Sequence, residues 1–378
     1  MKKHKHISYY DITNILCKLE NNKSFMEMTE RDLRFLCGLL RDKMPKKVVE
    51  IGVAAGFTTN VILTCLHDLK CNCDMYSVDY SKYYYRDMTK ETGFLTQSIP
   101  DNIKYRKYFG NIIAEFIDDI CSDNKKIDFL IIDTTHSVPG EIIDFIVCLP
   151  YLADECIVVL HDVGLNHLSN GMPYQYATRL LFDSATGVKY FEDNTTDEID
   201  NIAAIKITND TFDNIVDVFS CLSITWQYML SNTDIDNYGR IIKRHYSDYF
   251  YSMYIKITSI QKKTFSIDFA RKFFKSDFNL IYSKWNQSED VVVYGFGYYG
   301  KEVIGFAQIN NLPISAIVIS DDQTLPENGE FNEIPIYHIS DLNDKYESVS
   351  VIMGVGDEYR KICLHNLDLL KIEYKLLA

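Results

Sequence analysis

The chain has 378 residues, enough for about two to three domains, and its 47% hydrophobic and 24% charged residues are typical of soluble globular proteins. Its formal net charge of −14 argues against a general nucleic-acid binder, which needs a basic face to neutralise phosphates. No apolar stretch approaches the roughly 18 residues that span a bilayer, and the basic start lacks the apolar core of a signal peptide, so we expect a cytoplasmic protein without a membrane span.

Helical and strand patterns alternate through the first part of the chain. Apolar positions recur at helical spacing through residues 11–20 and 29–40. The strand candidates that follow are KKVVEIG, DMYSVDY, NIKYRKYFG, KIDFLIID, ECIVVLHD and NIAAIKI, with helical segments such as GFTTNVILTCLHDL between them. Strands separated by helices of this length pair in parallel through crossovers. The sequence therefore predicts an α/β fold with a doubly wound, mostly parallel sheet.

The pattern changes after residue 210. Residues 211–287 form a predicted helical connector that is aromatic and basic, with nine Lys or Arg and two Asp or Glu between Arg240 and Ser276. This basic stretch is interpreted either as a solvated helix face or as a surface for an anionic substrate or partner. Strand, glycine turn and helix then resume, which predicts a second, smaller Rossmann-like α/β domain at 288–378 after a first domain at 1–210.

The first strand-to-helix turn, EIGVAAGFTT at residues 50–59, has the features of a nucleoside-binding turn. Gly52 and Gly56 permit a tight backbone path against a ligand. The helix that begins near Thr58 directs its amide dipoles at a carboxylate or phosphate. Asp79 ends the second strand, where an acidic residue commonly binds ribose hydroxyls. A purely structural turn with an incidental acidic residue is the alternative.

With this turn and Asp79, residues 45–210 resemble a class I S-adenosylmethionine-dependent methyltransferase. The resemblance implies that S-adenosylmethionine is the cofactor. The residues that it assigns to the cofactor pocket are Glu50, Gly52 and Gly56 at the methionine part, Thr58 near its carboxylate, Asp79 at the ribose, Gly110 and Asn111 near the adenine, and Asp133 at the pocket edge.

Acidic and imidazole side chains end the fourth and fifth strands. Asp133 closes the fourth strand and His161 with Asp162 closes the fifth, so parallel pairing brings them to one rim. Methyl transfer to an oxygen requires that the acceptor hydroxyl lose its proton to a base or be activated by a metal. These three side chains can hold one divalent ion, either Mg or Mn.

The spacing of these residues resembles that of catechol O-methyltransferase and the macrocin O-methyltransferases. In those families an acidic residue ends the fourth strand, and an acidic or amide pair ends the fifth about 28 residues later, as Asp133 and His161 do here. By this resemblance His136 is the general base. His161 departs from the family pattern, and it is expected to be a metal ligand, a catalytic base or a partner of the ligands. A metal-free site, and strands that merely end on polar residues, are the alternatives.

A second glycine turn, GFGYYG at residues 295–300, follows a strand and opens a helix, which is the context in which GxGxxG indicates dinucleotide binding. Asp321 ends the next strand, 21 residues after Gly300. The segment resembles the nucleotide-sugar-binding domain of bacterial sugar acetyltransferases. The resemblance implies a second nucleotide site at Gly295, Gly297, Gly300 and Asp321. A structural Rossmann unit and an NAD site are the alternatives.

Together these features predict an S-adenosylmethionine-dependent O-methyltransferase that acts on a hydroxyl of a sugar, nucleotide-sugar or glycan intermediate. The expected partner is this small-molecule acceptor, and self-association into a homo-oligomer is left open. One rival is a non-catalytic nucleotide-sensing or scaffold protein with two Rossmann-like units. The other is an NAD-dependent sugar-modifying enzyme that uses the second turn, which lacks a recognisable Tyr-x-x-x-Lys pair beside it.

Overall fold

The chain divides into two compact units. The computed structural model describes residues 5–6, 9–96, 98–167, 174–191, 201–326 and 329–377. Unit 1 comprises Met1–Tyr228 and Asp234–Ile257, and unit 2 comprises Met229–Thr233 and Thr258–Ala378. Each unit contains a mostly parallel sheet with helices, so the predicted α/β fold is confirmed. The finer division at residues 210 and 287 stays a prediction. Within the described part of the chain, no helix is long and apolar enough to cross a bilayer.

Unit 1 is organised around one large sheet. Its described strands are β1 Lys5–His6, β2 Lys47–Ile51, β3 Cys73–Asp79, β4 Tyr83–Tyr84, β5 Asp87–Glu91, β6 Ile103–Phe109, β7 Ile127–Ile132, β8 Leu152–His161, β9 Val188–Phe191 and β10 Ile202–Lys206. The sheet order is β1-β9-β10-β8-β7-β2-β3-β6, and β4 with β5 forms a separate hairpin. The strands from β8 to β6 in this order pair in parallel. In contrast, β10 pairs antiparallel with both β8 and β9.

Helices flank this sheet and continue beyond it along the chain. Up to residue 273 they are α1 Thr13–Lys18, α2 Glu30–Lys43, α3 Phe57–Asp68, α4 Ile113–Ile120, α5 Gly140–Cys148, α6 Ala177–Ser184, α7 Asn209–Asp213, α8 Ile215–Cys221, α9 Asn232–His245 and α10 Asp248–Phe273, with short 3₁₀ helices at Glu20–Phe25, Leu149–Tyr151 and Leu165–His167.

A capping box starts α2. The Thr29 hydroxyl accepts from the Asp32 amide at 3.2 Å, and the Asp32 carboxylate accepts from the Thr29 amide at 2.9 Å. Two backbone donors at the helix start are thereby satisfied, and Leu33, Leu36 and Leu40 of the helix are fully buried in the core. The cap therefore fixes both the beginning of the helix and the position of the Asp32 side chain.

The carboxyl ends of the parallel strands line one edge of the unit 1 sheet. There the amides of Gly52, Gly110 and Asp133 each donate to a carbonyl at the end of the neighbouring strand, all at 2.9 Å. These bonds continue the sheet ladder past the ends of β2, β6 and β7. The residues that follow the strands are consequently held side by side along this edge.

Unit 2 contains the second sheet. Its strands are β11 Val291–Tyr294, β12 Ala316–Ile319, β13 Glu330–Phe331, β14 Ile334–His338, β15 Ser348–Met353 and β16 Glu373–Leu376, and its further helices are α11 Phe278–Asn286, α12 Tyr298–Ile309, α13 Leu342–Lys345 and α14 Asp357–Asp368. The sheet order is β13-β14-β12-β11-β15-β16, parallel except for β13 against β14. The chain moves outward from β11 to β14 and returns to β15 on the other side. A ligand crevice is therefore expected at the carboxyl ends of β11 and β15.

Candidate active site

Both glycines of the first turn are required by the backbone. Gly52 has a φ of 91°, and a Cβ there would lie 1.7 Å from the carbonyl oxygen of Asp133. Gly56 has a φ of 88° and caps α3, and a Cβ there would lie 2.7 Å from the Thr96 hydroxyl oxygen. A side chain at either position would be strained and would push apart the segments that border the turn.

Asp79 anchors the turn to the end of β3. Its Oδ2 accepts from the amides of Val53 at 2.8 Å and Ala54 at 3.2 Å, and its Oδ1 accepts from the Ser81 amide at 2.8 Å. Since each carboxylate oxygen has two lone pairs, these bonds leave capacity for a ligand hydroxyl. The predicted ribose role of Asp79 is compatible with this geometry and stays a prediction.

The residues predicted at the adenine lie next to Asp79. The amide of Gly110 donates to the Asp79 carbonyl, and the Lys82 stem covers Gly110 so closely that a Cβ there would lie 2.5 Å from Lys82 Cε. Asn111 turns its side-chain oxygen to the Ile112 amide at 2.9 Å. The sequence neighbourhood that was predicted to bind a nucleoside is therefore contiguous in the structure.

Glu50 lies beneath the turn and is 1% exposed. Its Oε2 accepts from the hydroxyls of Thr59 at 2.8 Å and Ser77 at 2.7 Å, whereas Oε1 has no hydrogen-bond partner in the part of the chain that the structure describes. Burial raises the pKa of this carboxyl to about 7. Thr58, in the first turn of α3, is half-buried. Glu50 thus supports the turn from inside the protein.

Asp133, His136 and Asp162 meet where β7 and β8 end. The Nε2 atom of His136 lies 3.1 Å from Asp162 Oδ2 and 3.8 Å from Asp133 Oδ1. One possible ligand atom from each of the three residues lies within 4.8 Å of the others. The two strand ends therefore form one polar rim beside the glycine turn. The sequence predicted Asp133, His161 and Asp162 as the metal ligands. Among the described residues, the group of possible ligands contains His136 and not His161.

Glu141, at the start of α5, holds the other side of His136. Its Oε1 accepts from the His136 amide at 2.6 Å and from the Thr134 hydroxyl at 2.8 Å, and it lies 3.5 Å from His136 Nδ1. Burial raises the pKa of Glu141. His136 itself has a left-handed φ of 56°. The loop conformation, the helix start and this buried carboxyl together fix the imidazole between Glu141 and Asp162.

His161 is enclosed by carboxylates and is 3% exposed. Its Nδ1 lies 3.1 Å from Asp133 Oδ1 and 3.3 Å from Asp162 Oδ2, and its Nε2 lies 3.7 Å from Asp32 Oδ2. Burial lowers the pKa of His161, but the carboxylates outweigh burial and raise it well above 6.5. The protonated imidazole donates to these carboxylates, and the predicted roles of His161 as a metal ligand and as a base stay predictions. The geometry therefore favours an orienting role for this side chain.

Asp162 is held as a carboxylate. Although burial raises its pKa, hydrogen bonds from His161 and charges of the two histidines lower the pKa to about 2. Asn201 donates to Asp162 Oδ1 at 2.7 Å from the start of β10. Neither Asn201 nor Asp32 nor Glu141 was singled out from the sequence. The structure pairs β10 antiparallel with β8 and sets Ile202 opposite His161. A sequence analysis that predicted this pairing would have placed Asn201 next to Asp162.

In unit 2, the predicted nucleotide residues separate into two groups. Gly295, Gly297 and Asp321 line a cavity of about 750 Å³ at the carboxyl ends of the strands. Gly300 does not line it, because it packs on the turn so that a Cβ would lie 2.0 Å from the Gly295 carbonyl oxygen. Asp321 Oδ1 accepts from the Ser340 amide at 3.1 Å and hydroxyl at 2.9 Å.

One family model matches part of the chain. Residues 49–163, which include the first glycine turn and the rim, match the family model described as a methyltransferase domain. No curated protein matches the chain.

Several solved structures are weakly similar. An O-methyltransferase from Bacillus cereus in complex with S-adenosylhomocysteine has 13% identity and a TM-score of 0.34 over 52% of this chain and 92% of that chain. The O-methyltransferase TomG from Streptomyces achromogenes, in complex with S-adenosylmethionine, has 10% identity and a TM-score of 0.38 over 54% and 92%. The MycE methyltransferase of the mycinamycin pathway, in complex with Mg, S-adenosylhomocysteine and mycinamycin VI, has 16% identity and a TM-score of 0.33 over 53% and 55%. Likenesses this weak carry no conclusion about the function of this chain.

Proposed function

With an S-adenosylmethionine-dependent methyltransferase domain at residues 49–163, we propose that this protein methylates a hydroxyl oxygen of a sugar, nucleotide-sugar or glycan intermediate. The observation that carries the proposal is the gathering of Asp133, His136 and Asp162 on one rim beside the glycine turn. Bound S-adenosylmethionine would supply an electrophilic methyl group on its sulfonium. The residues proposed to hold it are those of the turn and the neighbouring strand ends, namely Glu50, Gly52, Gly56, Thr58, Asp79, Gly110, Asn111 and Asp133.

His136 is proposed as the general base. A sugar hydroxyl has a pKa far above 7, so its proton must be taken up as the oxygen attacks. The His136 side chain is 16% exposed, with Glu141 beside a buried Nδ1 and Asp162 3.1 Å from Nε2, so Nε2 is the nitrogen proposed to take the proton. These carboxylates stabilise the imidazolium that forms when the proton arrives. Glu141 also fixes the ring orientation through the His136 amide.

His161 is proposed as a positioning residue. Asp133 and Asp162 would repel each other if both were ionised with no cation between them. The Nδ1–H group of His161 reaches both carboxylates, at 3.1 Å and 3.3 Å, and so keeps them together on the rim. Asp32 lies at the opposite ring nitrogen and balances the buried charge. His161 therefore acts on the reaction through the acidic pair that faces His136.

In the second form of this proposal, the site binds a divalent metal ion. Two carboxylates and one imidazole with ligand atoms within 4.8 Å fit Mg²⁺ or Mn²⁺, so Asp133, His136 and Asp162 are the residues that would hold it. The ion would lower the pKa of the acceptor hydroxyl. His136 would then be a ligand and not the base. The two forms consequently make opposite predictions for the effect of a chelator.

The sugar acceptor has different support. It rests on the 28-residue spacing of Asp133 and His161, which is similar to that of the macrocin enzymes. The unit 2 turn, similar to nucleotide-sugar-binding domains, extends the proposal to a second nucleotide or nucleotide-sugar site at Gly295, Gly297, Gly300 and Asp321. Both extensions are resemblances, and neither is required for methyl transfer by the unit 1 site.

The test is a methyl-transfer assay with labelled S-adenosylmethionine against a panel of sugars and nucleotide-sugars, with and without EDTA. We expect His136→Gln to lower kcat by about 10²-fold or more, the contribution typical of a general base, with S-adenosylhomocysteine binding unchanged. His67→Gln is the matched control, because His67 is exposed and its ring, among the described contacts, bonds only to Asn102. EDTA-resistant activity supports the base, and activity lost with EDTA and restored by Mn²⁺ supports the metal form.

Two results would contradict the proposal. Full activity of His136→Gln in the presence of EDTA would exclude both the base and the ligand role of this residue. Labelled product with the methyl group on nitrogen or carbon would exclude the hydroxyl acceptor while leaving the cofactor assignment intact. Binding of S-adenosylhomocysteine is read separately by thermal shift, where a ligand at 100 times its Kd stabilises by about 2.7 kcal/mol.

A further inference from the structure

A two-stranded hairpin, formed by β4 and β5, stands beside the first glycine turn of unit 1. At its start, the Ser81 amide donates to Asp79 Oδ1 at 2.8 Å. Just after its end, the Gly93 amide donates to the Ala54 carbonyl of the glycine turn at 2.8 Å. Both ends of the hairpin are thus fixed to the proposed cofactor pocket, and none of its residues has a role in the function proposed above.

The tip of the hairpin joins Tyr85 and Arg86 to Glu27 of the amino-terminal segment. The Tyr85 hydroxyl donates to Glu27 Oε1 at 2.7 Å, and Arg86 Nε donates to the Tyr85 oxygen at 2.7 Å. The Arg86 guanidinium lies 5.1 Å from the centroid of the Tyr85 ring, and its Nη2 lies 3.4 Å from Glu27 Oε1. An arginine that is stacked and bonded in this way directs its remaining N–H groups along a fixed plane.

Glu27 connects the hairpin tip with the polar rim. It shortly precedes the capping box of α2, whose Asp32 lies 3.7 Å from His161 Nε2. Burial raises the pKa of Glu27, and the hydrogen bond from Tyr85 lowers it. The charge of Asp133 raises this pKa as well, so Glu27 is within electrostatic reach of the rim. The hairpin tip therefore lies on the rim side of the pocket, where the acceptor is proposed to bind.

Arg86 keeps unused donors at this position. Its side chain is 56% exposed, and Glu27 is its only ion-pair partner among the described residues. A guanidinium has five N–H donors, of which one is bonded to Tyr85 and one faces Glu27, so a bidentate contact with a phosphate or carboxylate is still available. Lys90 of the same hairpin differs, because it is paired with Asp87 at 3.2 Å.

The same hairpin presents large side chains to solvent. Tyr83, Tyr85 and Met88 are all exposed, although they belong to one short element. Exposed apolar side chains that collect in one place mark a binding surface. A tyrosine combines an apolar ring with a polar tip, which suits the mixed surface of a sugar.

We propose that Arg86, stacked on Tyr85, binds an anionic group of the acceptor, either a phosphate or a carboxylate, while the hairpin tyrosines contact its sugar. The inference rests on the proposed function and deepens it, because it gives the acceptor a negative charge and names the residue that recognises this charge. The acceptor hydroxyl must approach Asp133 and Asp162 on the rim. A negative group elsewhere on the acceptor is therefore favoured only where a cation meets it, and Arg86 selects such an acceptor over a neutral one.

The test is calorimetric titration of the full chain saturated with S-adenosylhomocysteine. The probes are glucose 1-phosphate, glucuronate and methyl glucoside, which carry a phosphate, a carboxylate and no charge. We expect the better of the two anions to bind at least tenfold more tightly than methyl glucoside, as for a hydrogen bond to a charged group. The preferred anion decides between phosphate and carboxylate.

Substitutions of Arg86 show whether this residue carries the selectivity. Arg86→Gln should weaken the preferred anion tenfold or more and leave methyl glucoside and S-adenosylhomocysteine unchanged. Arg86→Lys should recover part of the lost affinity, because it restores the charge without the planar fork, and a purely structural role in the hairpin would not restore anion binding alone. Arg34→Gln is the matched control, since it removes an arginine that is likewise paired with a glutamate, Glu30, at 2.6 Å, and it should bind as the wild type does.

The outcomes separate this inference from the proposed function. Wild-type anion affinity in Arg86→Gln, equal binding of methyl glucoside and both anions, or no anion binding at millimolar concentration would overturn the inference. Transfer of labelled methyl groups to a neutral sugar, unchanged in Arg86→Gln, would also overturn it while supporting the proposed function. Anion binding that requires Arg86, without methyl transfer to any hydroxyl, would keep the anion site and contradict the proposed function.

Discussion

Replacement of His161 by glutamine tests whether a buried imidazolium holds the acidic rim together. The substitution keeps a side chain of similar size but removes the positive charge beside Asp133 and Asp162. Asp162 has a pKa of about 2 in the folded protein against an ordinary value of 3.8, and His161 is the largest of the causes that lower it. Such a carboxyl stabilises the folded state by about 2 kcal/mol at neutral pH. We therefore expect His161→Gln to lower the free energy of unfolding of unit 1 by about 2 kcal/mol at pH 7.

The difference in the free energy of unfolding between the wild type and His161→Gln should depend on pH. The pKa of Asp162 is lowered by folding, so its contribution is present above 3.8 and is lost as the pH falls through about 2. The pKa of His161 is raised, so its contribution is present below 6.5 and is lost as the pH rises through a value well above 6.5. The stability difference should consequently be largest between about pH 4 and pH 7 and should decrease at both extremes.

The assay is urea unfolding followed by tryptophan fluorescence. The chain has two tryptophans, of which Trp226 lies in unit 1 and Trp285 in unit 2, and both are buried. In a Trp285→Phe background the signal reports the unfolding of unit 1 alone. His67→Gln in the same background is the control for loss of an exposed histidine. A stability within about 0.5 kcal/mol of the control at pH 7, the range of neutral surface substitutions, would refute the imidazolium assignment.

Three further predictions follow from the geometry of other residues. Gly52→Ala should abolish methyl transfer and lower the free energy of unfolding, since its Cβ would lie 1.7 Å from the Asp133 carbonyl oxygen. The control is Gly305→Ala in α12, whose Cβ would meet nothing within 4 Å and which should be neutral or stabilise by about 0.5–1 kcal/mol. Equal urea midpoints for the two variants would contradict this prediction. Gly300→Ala should destabilise unit 2, because its Cβ would lie 2.0 Å from the Gly295 carbonyl oxygen, whereas Gly297→Ala should not, because its Cβ would meet nothing within 4 Å. The measurement is thermal unfolding monitored by Trp285, and a lower melting temperature for Gly297→Ala than for Gly300→Ala would contradict this prediction. Asp144 is buried, which raises its pKa to about 7 from an ordinary 3.8, and it accepts a hydrogen bond from the Tyr238 hydroxyl at 2.7 Å. Wild-type stability should therefore fall as the pH rises from about 4 to about 7 and level off above that, and Asp144→Asn should remove this fall in melting curves between pH 5 and pH 8.

The large sheet of unit 1 was predictable because its strands carry continuous apolar runs. KVVEI is buried along its length and IDFLII is buried everywhere except at Asp128, as expected for strands covered on both faces by crossover helices. The β4–β5 hairpin was not predicted, because most of its side chains are exposed or half-buried and its sequence lacks the apolar alternation that marks a strand. The same reasoning explains why β9 was missed, since only Tyr190 of its four residues is buried.

The rim was partly predictable for a similar reason. Asp133 and Asp162 directly follow apolar strands, so parallel pairing alone brings them to one edge. Glu141 could not be predicted, because it is an acidic residue in the first turn of a helix, where it would ordinarily be explained by the helix dipole. The sequence also could not show that His136 and His161 have different roles. These roles depend on which imidazole ring is surrounded by carboxylates in the folded structure.

The capping box at the start of α2 has a practical consequence for anyone who wishes to work with a shorter protein. Asp32 precedes residue 49, where the recognised domain begins, yet its carboxylate is 3.7 Å from His161. A fragment cut to the recognised boundaries would carry every proposed rim residue and still leave the His161 ring without its far counter-charge. Expression trials that trim the amino-terminal helices would therefore alter the electrostatic balance of the proposed catalytic centre while leaving the sequence of its rim residues unchanged.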